Sequence, residues 1–313
     1  MRPGQVVLGA AALLVVCRAV PGLRAQTPGT PRVAGYVQPR LQVTGDSAVF
    51  VLNRARVGIE GDPAPWASYK VQVEARSLAV NGAPAAVTAT DLYVAAHRPA
   101  WRIVAGQFKV PFSLEELAPL STLELPERSL VVTAQAPKRD IGLMGEWRPV
   151  GAVQLEAGAF NGEGPNRAGN PDKKLSYVAR LLATPAPGLD VGAAAAAYPD
   201  STWWDLQAGY RRGSWRARGE VLRRDRVRPA DHASGWYAQA AYLVPRVRLQ
   251  LVGRVEQYAP SAAAGGRETG YTAGAQYLFR GDDLKLQTSY TAYGGSGAAV
   301  THNPFILQLQ ARF

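Results

Sequence analysis

The chain holds one cysteine, Cys17, two methionines and three histidines in 313 residues. A lone thiol makes no internal disulfide, and Cys17 falls inside an apolar leader, so the mature chain is expected to carry no thiolate chemistry. No cysteine or histidine spacing suits a zinc ion, so no metal ligand is expected. After residue 25 nothing approaches a run of eighteen apolar residues, which excludes a membrane-spanning helix. The glycine-rich stretch 294–297 follows a strand pattern and opens no helix, so it is not a phosphate-cradling loop, and no cofactor is expected. Acidic residues are the minority, 24 against 35 Lys and Arg, for a net charge of +11. No lysine run or nucleic-acid motif accompanies that excess, so nucleic acid is not an expected partner.

What is present begins with an export signal. Arg2 starts it, Val6 to Cys17 form an apolar run, and Ala25 offers a cut before Gln26. Leu23 is larger than such sites favour three residues before the cut, and no lipoprotein box precedes Cys17. Residues 1–25 are therefore read as a signal peptide and 26–313 as one domain. Removing Arg2, Arg18 and Arg24 leaves a charge of +8. Only Gln26 to Arg32 would separate leader from first strand, which leaves no place for a plug domain and argues against an energy-coupled transporter.

The far end reads F-I-L-Q-L-Q-A-R-F, Phe305 to Phe313, apolar and polar in alternation from Leu307. Period two gives a strand with two unlike faces. In an exported chain this is the closing strand of an all-β, antiparallel transmembrane barrel with lipid outside and water inside. Sixteen segments fit: 33–44, 48–60, 66–77, 87–97, 100–109, 138–148, 151–161, 174–184, 188–198, 202–212, 214–224, 235–244, 246–257, 269–279, 283–293 and 304–313. Every second connection is a tight turn built of Gly, Pro or Asp. The intervening ones are mostly long, among them 77–86, 111–137, 161–173, 225–234, 258–268 and 294–303. That asymmetry, with both termini on the periplasmic side, is expected of outer-membrane barrels. Tryptophans and tyrosines near strand ends suit two headgroup-level girdles in the outer-membrane lipid.

Phasing the strands turns fifteen cations and nine carboxylates inward. Among them Arg54, Arg56, Lys70, Arg76, Arg216, Arg218, Arg246, Arg248 and Arg254 form the expected basic track, with Arg54, Arg56, Arg216, Arg218, Arg246 and Arg248 at its heart. Guanidinium groups stay charged and fork onto carboxylate or phosphate oxygens, so such a lining would concentrate small anions. The competing reading is that each arginine is a solvated wall residue paired with a neighbouring glutamate.

Several segments resemble the phosphate-selective porin O/P family. They are N-R-A-R-V-G-I-E-G from Asn53, D-L-Y-V from Asp91, V-A-G-Q-F-K-V-P-F-S-L-E-E-L from Val104, P-E-R-S-L from Pro126 and K-R-D-I-G-L from Lys138. The resemblance is sharpest over residues 33–160. It implies a sixteen-stranded barrel, usually a trimer, that passes anions by diffusion, with a long third loop folded inward. Pro111 to Pro137 stands in that loop's position. Here the sequence departs from a phosphate filter: the loop carries Glu115, Glu116, Glu124 and Glu127, with Arg128 its one cation before Lys138. Two roles stay open for the acids, pairing with wall arginines to pin the loop, or plain solvation. A general anion pore and a non-specific small-solute pore therefore stand beside a phosphate or polyphosphate pore.

Catalysis finds little footing. His97 falls in an expected turn, His232 and His302 in expected outer loops, and no acid is placed to orient His302 beside Thr301. No catalytic residue is assigned. A barrel esterase and a plugged structural barrel remain as other classes, to be tested by an esterase assay and by loss of channel steps.

Overall fold

The computed structural model describes residues 29–76, 86–227, 230–260, 266–295 and 303–313. The leader, the loop 77–85 and the tip of the last loop with His302 lie outside them. Sixteen strands close into one antiparallel barrel in sequence order, β1 pairing with β16. The first six are β1 (Arg32–Thr44), β2 (Ser47–Ala64), β3 (Ala67–Arg76), β4 (Ala86–Arg98), β5 (Trp101–Lys109) and β6 (Arg139–Val150). Next come β7 (Val153–Phe160), β8 (Ser176–Ala186), β9 (Leu189–Tyr198), β10 (Ser201–Arg212) and β11 (Trp215–Val227). The circle is completed by β12 (Ala230–Val244), β13 (Leu249–Ala259), β14 (Glu268–Asp282), β15 (Leu284–Gly295) and β16 (Pro304–Arg312). The terminal Phe313 seals the seam, its N–H donating to Gly35 O and its carbonyl accepting from Gly35 N–H, both at 3.0 Å. Closure leaves no unpaired strand edge, which hydrocarbon would not tolerate. Among the described residues no helix is long and apolar enough to cross a membrane; the crossing elements are strands.

The wall alternates as a two-solvent sheet must. In β15, Lys285, Gln287 and Ser289 are buried inside while Leu284 and Tyr290 are exposed outside. In β13, Gln250, Arg254 and Glu256 point in while Leu251 is exposed. Among the described residues six strand pairs carry a register shift, and the two away from the short turns re-aim residues of the inner wall. Between β1 and β2 the register steps from Gln38 opposite Arg54 to Pro39 opposite Leu52, leaving Asn53 as the extra residue. Proline has no N–H to give the ladder, so a bulge is where it fits. Asn53 and Arg54 are thereby both buried on the inner side. Between β3 and β4 the pairs step from Val71 with Leu92 to Val73 with Ala89, so Thr90 and Asp91 share one partner position.

Two expected elements differ. Segment 225–234 is not a long connection: β11 and β12 pair through Val227 with Ala230, so His232 sits in a strand opposite Asp225. Polar and small residues fall on both faces of this extension, so no alternation marked it. At the other end, β13 starts at Leu249 and not at 246. Pro245–Val247 form a 3₁₀ turn that ends with Arg248 in the left-handed region at φ 53°.

Between β5 and β6 the chain does not arch over the barrel but runs through it. It forms α1 (Leu114–Leu117), a 3₁₀ turn (Leu120–Thr122) and α2 (Leu130–Gln135). Val131, Val132 and Phe112 are fully buried against inner-wall residues that include Leu222, Ala233 and Tyr237. Leu125 packs on Ala241 and Val252. Wall glycines make the room: a Cβ on Gly235 would lie 2.6 Å from Val131 Cγ2, and one on Gly274 2.5 Å from Leu125 Cδ2.

Candidate pore and its constriction

The crossing segment is held by wall carboxylates placed at helix starts. Glu220 accepts from Leu114 N–H at 2.9 Å and Glu115 N–H at 2.8 Å, the first two helical amides of α1. Ser113 and Ser129 are the side-chain N-caps of the two helices, and Glu256 accepts from Leu130 N–H, the first amide of α2. These amides have no partner within their own helix, so a buried acid there satisfies them and the dipole together. Wall donors grip the carbonyls between: Lys285 and Gln287 donate to Leu123 O at 2.9 and 3.0 Å, and Gln310 to Ser121 O at 3.0 Å.

Each loop acid has a cation. Glu115 lies 3.9 Å from Arg254 and accepts from Ser129 N–H at 2.8 Å. Glu116 faces Lys138 at 3.2 Å and Arg128 at 3.4 Å. Glu124 pairs with Arg218, with Arg216 at 3.6 Å. Glu127 meets Arg40 at 2.5 Å. Burial alone would raise the Glu116 carboxyl, but Lys138, Arg128 and Lys109 outweigh it and hold it below the usual glutamate range. Glu127, whose side chain is partly exposed, is likewise held low by Arg40 and Arg54. Arg128 turns inward on the loop itself, donating to the carbonyls of Glu115, Glu116 and Ala118 at 2.9, 2.9 and 3.1 Å.

The basic residues divide into two walls rather than one track. On β1–β3, register orders them along the barrel: Tyr36 and Glu74 flank Arg56, Gln38 flanks Arg54, and Lys70 lies opposite Glu60 nearer the turns. Arg56 donates to Glu74 at 2.9 Å, Arg54 lies 3.8 Å from the same carboxylate, and Lys70 lies 4.0 Å from Asp91. Arg76, nearest the loop end, has no ion pair among the described residues. The Asn53 amide oxygen, oriented by its neighbours, accepts from Arg40 at 2.8 Å and Arg54 at 2.9 Å. Arg216, Arg218 and Arg254 stand on β11 and β13, engaged with the crossing segment. Arg246 and Arg248 leave the track altogether. They are exposed in the turn before β13, where Arg248 donates to Phe279 O at 3.1 Å. The alternation that placed them inside runs unbroken through a 3₁₀ turn that Pro245 initiates.

Three residues beside the crossing segment were missed in the track. Arg139 reaches Asp91 at 2.7 Å. Lys109 donates to the carbonyls of Glu116, Leu117 and Ala118, closing the end of α1. Tyr36 lies beneath the Arg56 guanidinium. Lys109 and Arg139 lie within the motif-bearing segments; Tyr36 carried no signal beyond its inward phase.

The phosphate-selective porin O and P family matches residues 37–220, more than half of the chain. The chain belongs to that family. Solved outer-membrane proteins share the fold of this porin. The channel DcaP of Acinetobacter baumannii superposes with a TM-score of 0.68 at 10% identity over 93% of this chain and 99% of that one. The trimer form of OmpT of Vibrio cholerae gives 0.67 at 12%, over 92% and 100%. A triple mutant of the Rhodopseudomonas blastica porin gives 0.63 at 14%, over 91% and 100%. At such identities the likeness is one of fold. A search of curated proteins returned no match. Family and fold point to an outer-membrane channel.

Proposed function

We propose that this porin is a passive, anion-leaning channel whose solute path runs along the β1–β3 wall, beside the crossing segment. The observation that carries the reading is a charge imbalance. Arg40, Arg54, Arg56 and Arg76 gather around two carboxylates, Glu74 and Glu127, and Arg76 pairs with neither within 4 Å. Arg40, Arg54 and Arg56 are less than a tenth exposed, so their field is screened less than that of surface charges. Low-dielectric walls focus such a field onto ions in the gap. Shared carboxylates keep the attraction shallow, which lets a bound anion leave.

A second reading, a non-specific small-solute pore, rests on the same pairs: every cation on this wall but Arg76 has a carboxylate within 4 Å. Charge-neutral variants decide between the two. Replacing Arg54, Arg56 and Arg76 by glutamine should lower the chloride-to-potassium permeability ratio several-fold with little loss of conductance at high salt. An unchanged ratio favours the non-specific pore. Phosphate and polyphosphate belong among the anions tested.

We place the mature chain in the outer membrane as a homotrimer with its leader removed at or near Ala25, its apolar outer band in contact with lipid. The trimeric OmpT supports the assembly. Cross-linking in native membranes and N-terminal sequencing test both points.

A further inference from the structure

The open space beside the crossing segment has two unlike sides. Its volume is about 770 Å³. Arg56, Lys70 and Arg139 stand on one side of it. The other side is the end of α1 and the stretch after it, which offer Leu117, Pro119 and Leu120. Pro119 is exposed and both leucines are half-buried, so this is an apolar surface left uncovered inside an aqueous channel. A small hydrated oxyanion gains nothing from such a side; it is held best by donors all round. A solute with a charged head and an apolar body gains from both.

Tyr36 adds an independent sign. It lines the same space and is 6% exposed, and its hydroxyl has no hydrogen-bond partner among the described residues. Buried phenol hydroxyls ordinarily find one. Its ring lies 5.4 Å from the Arg56 guanidinium, whose Nε and Nη2 face Glu74. The hydroxyl is closed to solvent here, so a carboxylate oxygen would meet it only as the ring turns toward the space; beside a cation, that oxygen is the acceptor it lacks.

We propose that this slot favours organic carboxylates with an apolar body over inorganic anions such as phosphate. Tyr36 and Arg56, with Lys70 nearby, take the carboxylate, and Leu117 and Leu120 take the hydrocarbon. The inference rests on the anion-channel reading and gives it a solute class.

The test is block of chloride current through the purified full-length mature porin in planar bilayers, with acetate, butyrate, hexanoate and inorganic phosphate as probes. From acetate to hexanoate the half-blocking concentration should fall about tenfold or more, which half-burial of four methylenes delivers, and phosphate should block no better than acetate. Leu117→Ser with Leu120→Ser should flatten the series to within about twofold while leaving the reversal potential in a salt gradient unchanged. Should that pair fail to insert, Leu120→Ala should still compress the series. Tyr36→Phe should weaken block by every carboxylate alike. A flat series in the unaltered porin, or a steep one that survives both leucine variants, overturns the inference. The reversal potential separates the failures: anion preference with a flat series rejects only the solute class, whereas cation preference rejects the anion channel as well.

Discussion

Alanine at Gly274 places a methyl group where the crossing segment touches the wall. The added Cβ would fall 2.5 Å from Leu125 Cδ2 and 2.9 Å from the Thr288 carbonyl. That carbonyl belongs to the β14–β15 pairing and has little freedom, so Leu125 must yield. Leu125 is 3% exposed against Ala241 and Val252, and has nowhere to go without lifting the chain around Glu124. Overpacking on this scale costs about 1–3 kcal/mol. Leu125→Ala alone should cost about 2–5 kcal/mol through the lost contacts and the hole left behind. In the double variant the new methyl meets no leucine and partly fills the hole, so the combined loss should fall short of the sum by about 1–2 kcal/mol. Denaturant unfolding in detergent measures the cycle, and single-channel recording reports the segment directly, with greater open-state noise for Gly274→Ala and quieting in the double variant. Strict additivity, with unaltered noise, would refute this packing of Leu125 in the Gly274 notch.

Glu74→Gln leaves Arg54 and Arg56 without their shared carboxylate, so anion block should tighten several-fold, read as a lower half-blocking concentration. Glu124→Gln frees Arg216 and Arg218, and should shift the reversal potential further toward chloride while loosening the crossing segment. Acid should loosen it too. Glu116 and Glu127 are held below the ordinary glutamate value, so their contribution is fully present above about pH 4.3 and is lost as pH falls through their lowered values. Conductance should therefore be steady from neutral to mildly acidic solution and become noisy below about pH 4. Arg40→Gln removes the close partner of Glu127, whose side chain is 42% exposed, and should cost about 1–2 kcal/mol, read by thermal unfolding.

The lipid-facing half of this fold was legible because hydrocarbon enforces period two, and strands such as Leu284–Gly295 obey it. The interior was legible only where it stays wet. Leu222, Tyr237 and Val252 face inward as apolar residues because a loop helix or leucine covers them, and nothing local distinguishes that from an ordinary strand. Bulges hid further information: alternation permits Asn53 or Arg54 inside, and the proline opposite allows both. The motif residues Asn53 and Asp91 fall at these two irregularities, where the chain re-aims side chains. Arg246 and Arg248 show the reverse failure, a periodic pattern that continues through a turn. The loop acids were visible as a group, but their partners were not, since Glu115 meets Arg254 and Glu127 meets Arg40 only once the barrel closes.

The sign of the zero-current potential for the unaltered porin in a potassium chloride gradient reaches the central claim most directly. If the wall of Arg40, Arg54, Arg56 and Arg76 governs permeation, chloride leads and the potential takes the anion's sign, growing as the salt is diluted and screening weakens. A potential of the potassium sign, or one that stays at zero on dilution, would contradict it.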